Sequence, residues 1–413
     1  MKLMIVATNL NRPELWKRWL ILKELDKDNE IVILSPKKYS VGAQKAYSFG
    51  KVIEYSGAEY EEERFKVIPI EITQDRFGGW SSSDIIPNIK REKPDVVYYI
   101  GVHSSPSLSQ VIKGARATGA KTYVFTMRGD LKKTTDGLSI KHRLVKMYSD
   151  KLTRKNVKGS DAIFVHYPDA IKAFREEGYK KPLFINTQIG VDTSYFKFTQ
   201  EGRDRVREKL ALDNCFVFGS ASRLNAEKGV IDIIEALPRD PKIKCMILGS
   251  GAESEIKAIK DKAAELGVED QILLPGLIGW DELPDYLSAM DCALHVPKRG
   301  VNWVETFSLA LVQEMSVGLP VIGSYSGSVP YQIGREDLLV KEGDVRAIRE
   351  KMEYVINNPE QAKEIGRAMR ERCERCFDVE HIAKCFDIVL KELAQGIYNE
   401  KHIDTAEKWD DIT

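Results

Sequence analysis

The sequence lacks most of what would mark a secreted, membrane-spanning or polyanion-binding chain. Cysteine is scarce, six residues in 413, all in the second half and at no framework spacing, which argues against a disulfide scaffold and for reduced thiols. Net charge is absent: Lys+Arg and Asp+Glu both total 62, so no overall field draws the chain to nucleic acid or lipid, and any such affinity must come from a local patch. No apolar run approaches the length of a membrane span. The opening MKLMIVATN turns polar too soon for a signal peptide and reads as a buried first strand, so a cytoplasmic protein is expected. The loop 7–12 after that strand has none of the glycines that nucleotide-binding sheets keep for phosphate approach. No Asp-x-Asp motif lies in a loop suited to a metal, and no metal or other cofactor is expected. Cys373 and Cys376 form a C-x-x-C followed by His381 and Cys385, but they sit in an Arg- and Glu-rich helical pattern without a glycine knuckle, which disfavours zinc.

What is present is a soluble α/β pattern, 43% hydrophobic and 30% charged. A chain of 413 residues exceeds one hydrophobic core, so two domains are expected. Apolar strands alternate with amphipathic helices through both halves, the signature of doubly wound sheets. The polar, helix-prone segment 199–213 reads as a linker and leading helix between them. The expected divisions are 1–197, 198–376, and a terminal piece 377–413 whose helix packs back on the first domain and whose polar tail after Asn399 frays.

One stretch organises the rest. Residues 291–330 read as a strand, a loop carrying Glu305, a helix starting near Ser308, and a second strand after Gly318 and Pro320. In an open parallel sheet such a loop lies at the carboxyl edge, where ligands bind. Leu309, Val312 and Ser316 repeat at helical spacing to face the sheet, while Gln313 can lean towards the rim. Earlier, the strand ending near Ser220 runs into SASRLNAEKGV, whose Arg223 and Lys228 place two cations in a loop at a strand end. A departing diphosphate needs such cations, although two exposed charges on a turn would look the same. The next strand closes on Gly249-Ser250-Gly251.

In the first half, three strand ends offer polar groups: Asn9, with Asn11 and Arg12, in the loop 7–12; His103 with Ser104 and Ser105; and Arg128 after Met127. Each reads equally as an acceptor-side contact or as an ordinary loop. Residues 131–160 are unusually basic, with Leu144, Val145, Met147, Tyr148 and Leu152 interleaved. This is either a solvated helix face or a cationic amphipathic helix that docks on an anionic membrane surface.

The motifs in order, Arg223-x4-Lys228-Gly229, Gly249-Ser-Gly251, Pro275-Gly276, Glu305, and Glu314-Met-Ser-x-Gly318-x-Pro320-Val321, resemble the retaining nucleotide-sugar glycosyltransferases of family 4. The resemblance is strongest over 219–333 and thinner in the first half, where Pro94-Asp95-Val96-Val97, Arg128-Gly129 and Gly190-Val191-Asp192 with Phe196 match. It implies the GT-B fold, two Rossmann-like domains facing each other across a cleft. It implies that Arg223 and Lys228 bind the donor diphosphate, that Glu305 holds donor-sugar hydroxyls, and that Gly249, Thr306 and the amides of Phe307, Ser308 and Leu309 complete the donor site. It also implies that no metal is needed, and that the acceptor is a glycan, a lipid-linked sugar or another hydroxyl compound, with no nucleic acid partner. The sequence departs from the family where a second Glu is usual: Gln313 stands there, with Glu314 next. A glutamine offers one good acceptor side to ribose hydroxyls where a carboxylate accepts two. A GT-B protein that binds without transferring, or a sugar-nucleotide epimerase, remains an alternative.

Overall fold

A computed structural model describes residues 1–10, 13–41, 53–56, 59–74, 79–127, 140–300 and 303–404, and the chain divides into two units, Met1–Gln188 with Ile382–Thr413, and Ile189–His381. In the first unit an eight-stranded sheet comprises Lys2–Ala7 (β1), Glu30–Pro36 (β2), Tyr60–Glu62 (β3), Phe65–Ile70 (β4), Val96–Ile100 (β5), Lys121–Phe125 (β6), Ala162–Val165 (β7) and Leu183–Ile185 (β8). Its order is β8-β7-β6-β5-β1-β2-β4-β3, parallel except for β3 on β4. β1 and β5 are near-continuous apolar runs because a central parallel strand is covered on both faces. Outside the main sheet a short strand, Trp80–Ser81, pairs antiparallel with Thr73–Gln74.

The second unit holds an all-parallel six-stranded sheet of Phe216–Ala221 (β9), Ile243–Leu248 (β10), Ile272–Gly276 (β11), Cys292–His295 (β12), Val321–Ser324 (β13) and Leu339–Val340 (β14), in the order β11-β10-β9-β12-β13-β14. From β9 the chain winds outward to β11, then returns to β12 on the other side of β9 and winds outward again. The β9/β12 junction is therefore the switch point of this sheet, and β1/β5 is that of the first. At such a junction successive loops diverge and leave a crevice at the carboxyl ends.

The divisions differ from those expected. The boundaries fall after Gln188 and His381, where 197 and 376 were expected, while the helix Gln200–Lys209 is a leading helix of the second unit, held there by Arg203 Nη2 donating to Asp291 Oδ1 at 2.6 Å and Arg207 Nη1 to the Ala289 carbonyl at 3.0 Å. The terminal helix Val379–Ala394 delivers Cys385, Phe386, Val389 and Leu390 to the core of the first unit. The segment after Asn399 does not simply fray: Ile185 N donates to the Ile403 carbonyl at 2.6 Å, which extends the sheet edge at β8, and His402 pairs with Glu392. No helix among the described residues is long and apolar enough to cross a membrane.

Candidate active site

The loop after β9 carries both cations. Leu224 N donates to the Ser250 carbonyl at 2.9 Å, tying this loop to the one after β10. The contact demands glycine at 249, since a Cβ there would collide with the Ser222 carbonyl and φ is +138°. A short 3-10 turn, Ala226–Lys228, then aims Lys228 at the loop after β12, where it donates to Glu305 Oε2. Both side chains are buried, 9% and 8% exposed. The indole of Trp303 lies 5.0 Å from the Lys228 ammonium, a further contact suited to a desolvated cation. A third loop, after β13, fixes the Glu305 backbone: Ser328 N donates to its carbonyl at 2.8 Å, and Gly327, at φ +53°, leaves room that a Cβ would fill.

The helix Leu309–Ser316 starts where Ser308 caps it, its Oγ accepting from Leu311 N at 3.3 Å. Leu311, Val312 and Met315 are fully buried and form its core face, whereas Leu309, expected on that face, is half-buried. Gln332, itself fully buried, accepts from Ser308 N at 2.9 Å and donates to the Ser308 carbonyl at 2.9 Å. The Ser308 amide is thus already engaged, which corrects the expectation that it serves an anion. Thr306, Phe307 and Leu309 are half-buried around it. Gln313 is 4% exposed and its Nε2 has no hydrogen-bond partner among the described residues. Glu314 is fully buried, with Oε1 accepting from Ala221 N at the end of β9 at 3.2 Å.

Burial alone would raise the Glu305 carboxyl, but the His295 imidazole and the Lys228 ammonium override it and hold the group down to about 2. Burial pushes Glu314 well above the ordinary carboxyl range and His295 below the ordinary imidazole range. Buried side-chain atoms without hydrogen-bond partners among the described residues gather on this edge: Ser222 Oγ, Asn225 Oδ1, His295 Nε2, Gln313 Nε2 and Glu314 Oε2. Buried polar atoms are normally paired, so such a cluster marks a surface built to meet a polar ligand.

Sequence reasoning singled out Arg223, Lys228, Gly249, Glu305 and Gln313, and the structure collects them on the carboxyl edge of the second sheet; Arg223 is half-buried in the same loop as Lys228. It missed His295, whose only signal was a lone imidazole closing the apolar strand DCALH, and Gln332. In the first unit, Asn9 follows β1 and His103 follows β5, so both lie at the switch point of that sheet. His103 Nδ1 pairs with Thr126 Oγ1 at 3.0 Å, and Asn156 Nδ2 donates to the His103 carbonyl at 2.9 Å, fixing the loop. Arg128 lies outside the described residues. Of the cysteine pattern, Cys373 Sγ donates to the Val312 carbonyl at 3.2 Å, and Cys385 belongs to the other unit. Among the described residues no group of His, Cys, Asp and Glu has metal-binding geometry.

Residues 202–372 match the family model described as Glycosyl transferases group 1. The second unit carries a glycosyltransferase group 1 domain. A trehalose synthase of Pyrococcus horikoshii is 27% identical over 199 residues, 45% of this chain and 46% of that protein. The chain spans about half the length of the curated relatives it matches. Over nearly the whole chain the structure is similar to HepE of Anabaena in complex with UDP, at a TM-score of 0.69 and 16% identity, covering 95% of this chain and 100% of that one. It is equally similar to a sucrose-phosphate synthase of Thermosynechococcus elongatus, TM-score 0.69 and 14% identity, covering 96% and 100%. At that identity the likeness speaks for the fold, which is GT-B.

Proposed function

We propose that the protein is a retaining glycosyltransferase of family 4 that moves a sugar from a nucleotide-sugar donor, UDP- or GDP-linked, to a hydroxyl of a glycan, glycolipid or other acceptor in surface polysaccharide or glycoconjugate synthesis. The observation that carries this reading is the meeting of Lys228 and Glu305 at the switch point of the second sheet, amid buried polar atoms without partners. A cation and a carboxylate, brought together by separate loops, suit a ligand with an anionic and a hydroxyl-bearing half. Arg223 and Lys228 bind the diphosphate and meet the charge that develops as it leaves. Glu305, ionised at any ordinary pH, accepts from donor-sugar hydroxyls. Gln313 faces the nucleotide ribose. The leaving phosphate takes the acceptor proton on the face it departs from, which retains the anomeric configuration, and the two cations serve in place of a metal. That HepE was solved with UDP and with UDP-glucose favours a uridine donor.

Asn9, His103 and Arg128 are the acceptor-side candidates. On the helix Ile140–Gly159 the exposed face carries Met147, Tyr148, Lys151, Arg154, Lys155 and Lys158, and this face docks a cytoplasmic, peripheral enzyme on anionic lipid. The test is a thermal-shift panel of UDP, GDP, ADP and their common sugars. A ligand at a hundred times its dissociation constant adds about 2.7 kcal/mol of stability, so one base and its sugar should stand out and Lys228→Ala should remove the shift. No shift with any member would refute the donor site.

A further inference from the structure

Four ionisable side chains from separate elements stand in a row behind the donor edge. Lys228, after β9, meets Glu305, after β12. Glu305 Oε2 lies 3.8 Å from Nε2 of His295, the last residue of β12, and His295 Nδ1 lies 3.9 Å from Glu314 Oε2 on the helix Leu309–Ser316. His295 is 3% exposed and Glu314 fully buried. Cys292, at the start of β12, and Lys228 also lie in the field of Glu314. Glu314 Oε1 is engaged as an acceptor by Ala221 N, so the oxygen left over, Oε2, is the one turned to the imidazole. Both gaps exceed hydrogen-bond length by about an ångström, which small side-chain rotations close. Burial raises the Glu314 carboxyl well above the ordinary carboxyl range, which favours its protonated form, and lowers His295, which favours the neutral ring. A protonated carboxyl has one O–H to give, and a neutral imidazole has one nitrogen to receive it and one N–H to pass on.

We propose that Glu314 and His295 are positioning residues for the donor sugar: the Glu314 carboxyl donates to His295 Nδ1, which selects the tautomer whose Nε2–H faces Glu305 and sets the angle of its carboxylate. The inference rests on the donor-sugar role of Glu305 proposed above. It makes a selective demand. A bare nucleoside diphosphate lacks the donor sugar whose hydroxyls Glu305 holds, so it does not register the pair; a nucleotide sugar does.

Two measurements test it. With 15N-labelled histidine, of which the chain has 6, the His295 signal is assigned by its loss in His295→Gln. The wild type should show a neutral ring protonated at Nε2 at neutral pH. Glu314→Ala should lose that single tautomer. Glu314→Gln should keep it, because its amide oxygen still accepts from Ala221 and its NH2 can donate to Nδ1. An Nδ1–H tautomer in the wild type, or a titration unchanged by Glu314→Ala, overturns the pair, and the wild-type tautomer decides this even if Glu314→Ala does not fold. Calorimetry with UDP and UDP-glucose, and with GDP and GDP-mannose, then tests the role. Glu314→Ala should weaken the nucleotide sugar about tenfold, the worth of roughly one hydrogen bond to a charged group, while the bare diphosphate stays unchanged and Glu314→Gln restores the loss. An equal loss for both ligands means a merely structural role and overturns the proposal. A wild type that binds none of the four refutes the donor reading and this role with it, whereas the tautomer still shows whether the pair exists.

Discussion

Replacing Lys228 with methionine removes the ammonium from a contact in which both partners are over nine-tenths buried and leaves the Glu305 carboxylate facing His295 alone. The carboxyl is held at about 2 against 4.5 in the unfolded chain, which amounts to about 3 kcal/mol at neutral pH. Because the folded value is depressed, this contribution is fully present above pH 4.5 and is lost as pH falls through 2. Burial opposes the shift and Lys228 is one of the groups that override it, so Lys228→Met should lift the Glu305 value and flatten or reverse the dependence of stability on pH in that window. At pH 7 the single variant should lose about 3–5 kcal/mol, the usual cost of stripping a buried charge of its partner. Lys228→Met combined with Glu305→Gln should recover most of it, since removing both charges together is close to neutral. Urea unfolding of the four proteins at pH 7 and pH 3, followed by the tryptophans of the second unit, Trp280 and Trp303, measures the cycle. Single variants that each cost under about 0.5 kcal/mol, with an additive double, would refute the buried pair as the organiser of this edge.

Arg223→Ala should leave a folded protein whose turnover drops on the order of a hundredfold, as does losing a preorganised donor to a developing anion; near-normal rates would remove Arg223 from the site. Turnover should survive excess EDTA, and a loss restored by Mn2+ or Mg2+ would contradict a metal-free mechanism. Gln313→Glu should strengthen nucleotide binding by roughly 0.5–1.5 kcal/mol, measured by titration, because a carboxylate accepts where the Gln313 NH2 has no partner; no gain would mean that Gln313 does not face the ribose. Reversing Lys151, Arg154 and Lys155 to Glu should release the protein from anionic vesicles, and equal binding of the unaltered chain to neutral and anionic vesicles would rule out electrostatic docking.

Much of the fold can be read from short-range pattern. β5, Val96–Ile100, coincides with its apolar run, the helix Val345–Asn357 buries the stripe Ile348, Met352 and Val355 that its spacing marks, and Ser308 caps its helix where the periodicity begins. The donor loop is legible because Arg223, Lys228 and Gly229 lie within one turn of chain. What is not legible is long-range. Lys228 and Glu305 are 77 residues apart, and nothing local says that they touch. The leading helix passes for a linker because its arginines look solvated until Asp291, more than eighty residues on, is seen beneath them. Glu314 and Gln313 are neighbours of similar polarity, and the pattern cannot tell that the carboxyl of one reaches under the sheet edge to Ala221 while the amide of the other lacks a partner. The tail looks disposable in composition, yet Ile403 pairs with Ile185 at the far end of the first sheet.

The most direct test of the whole account follows the anomeric carbon. The protein is incubated with UDP-glucose, or with whichever nucleotide sugar the thermal panel selects, in excess EDTA and without added acceptor, and proton NMR records the first sugar released. Slow hydrolysis that yields the nucleoside diphosphate and a sugar of the same anomeric configuration as the donor, abolished in Lys228→Ala, is the predicted result. Inverted sugar, an epimerised donor with its nucleotide still attached, or turnover that persists in Lys228→Ala would contradict it.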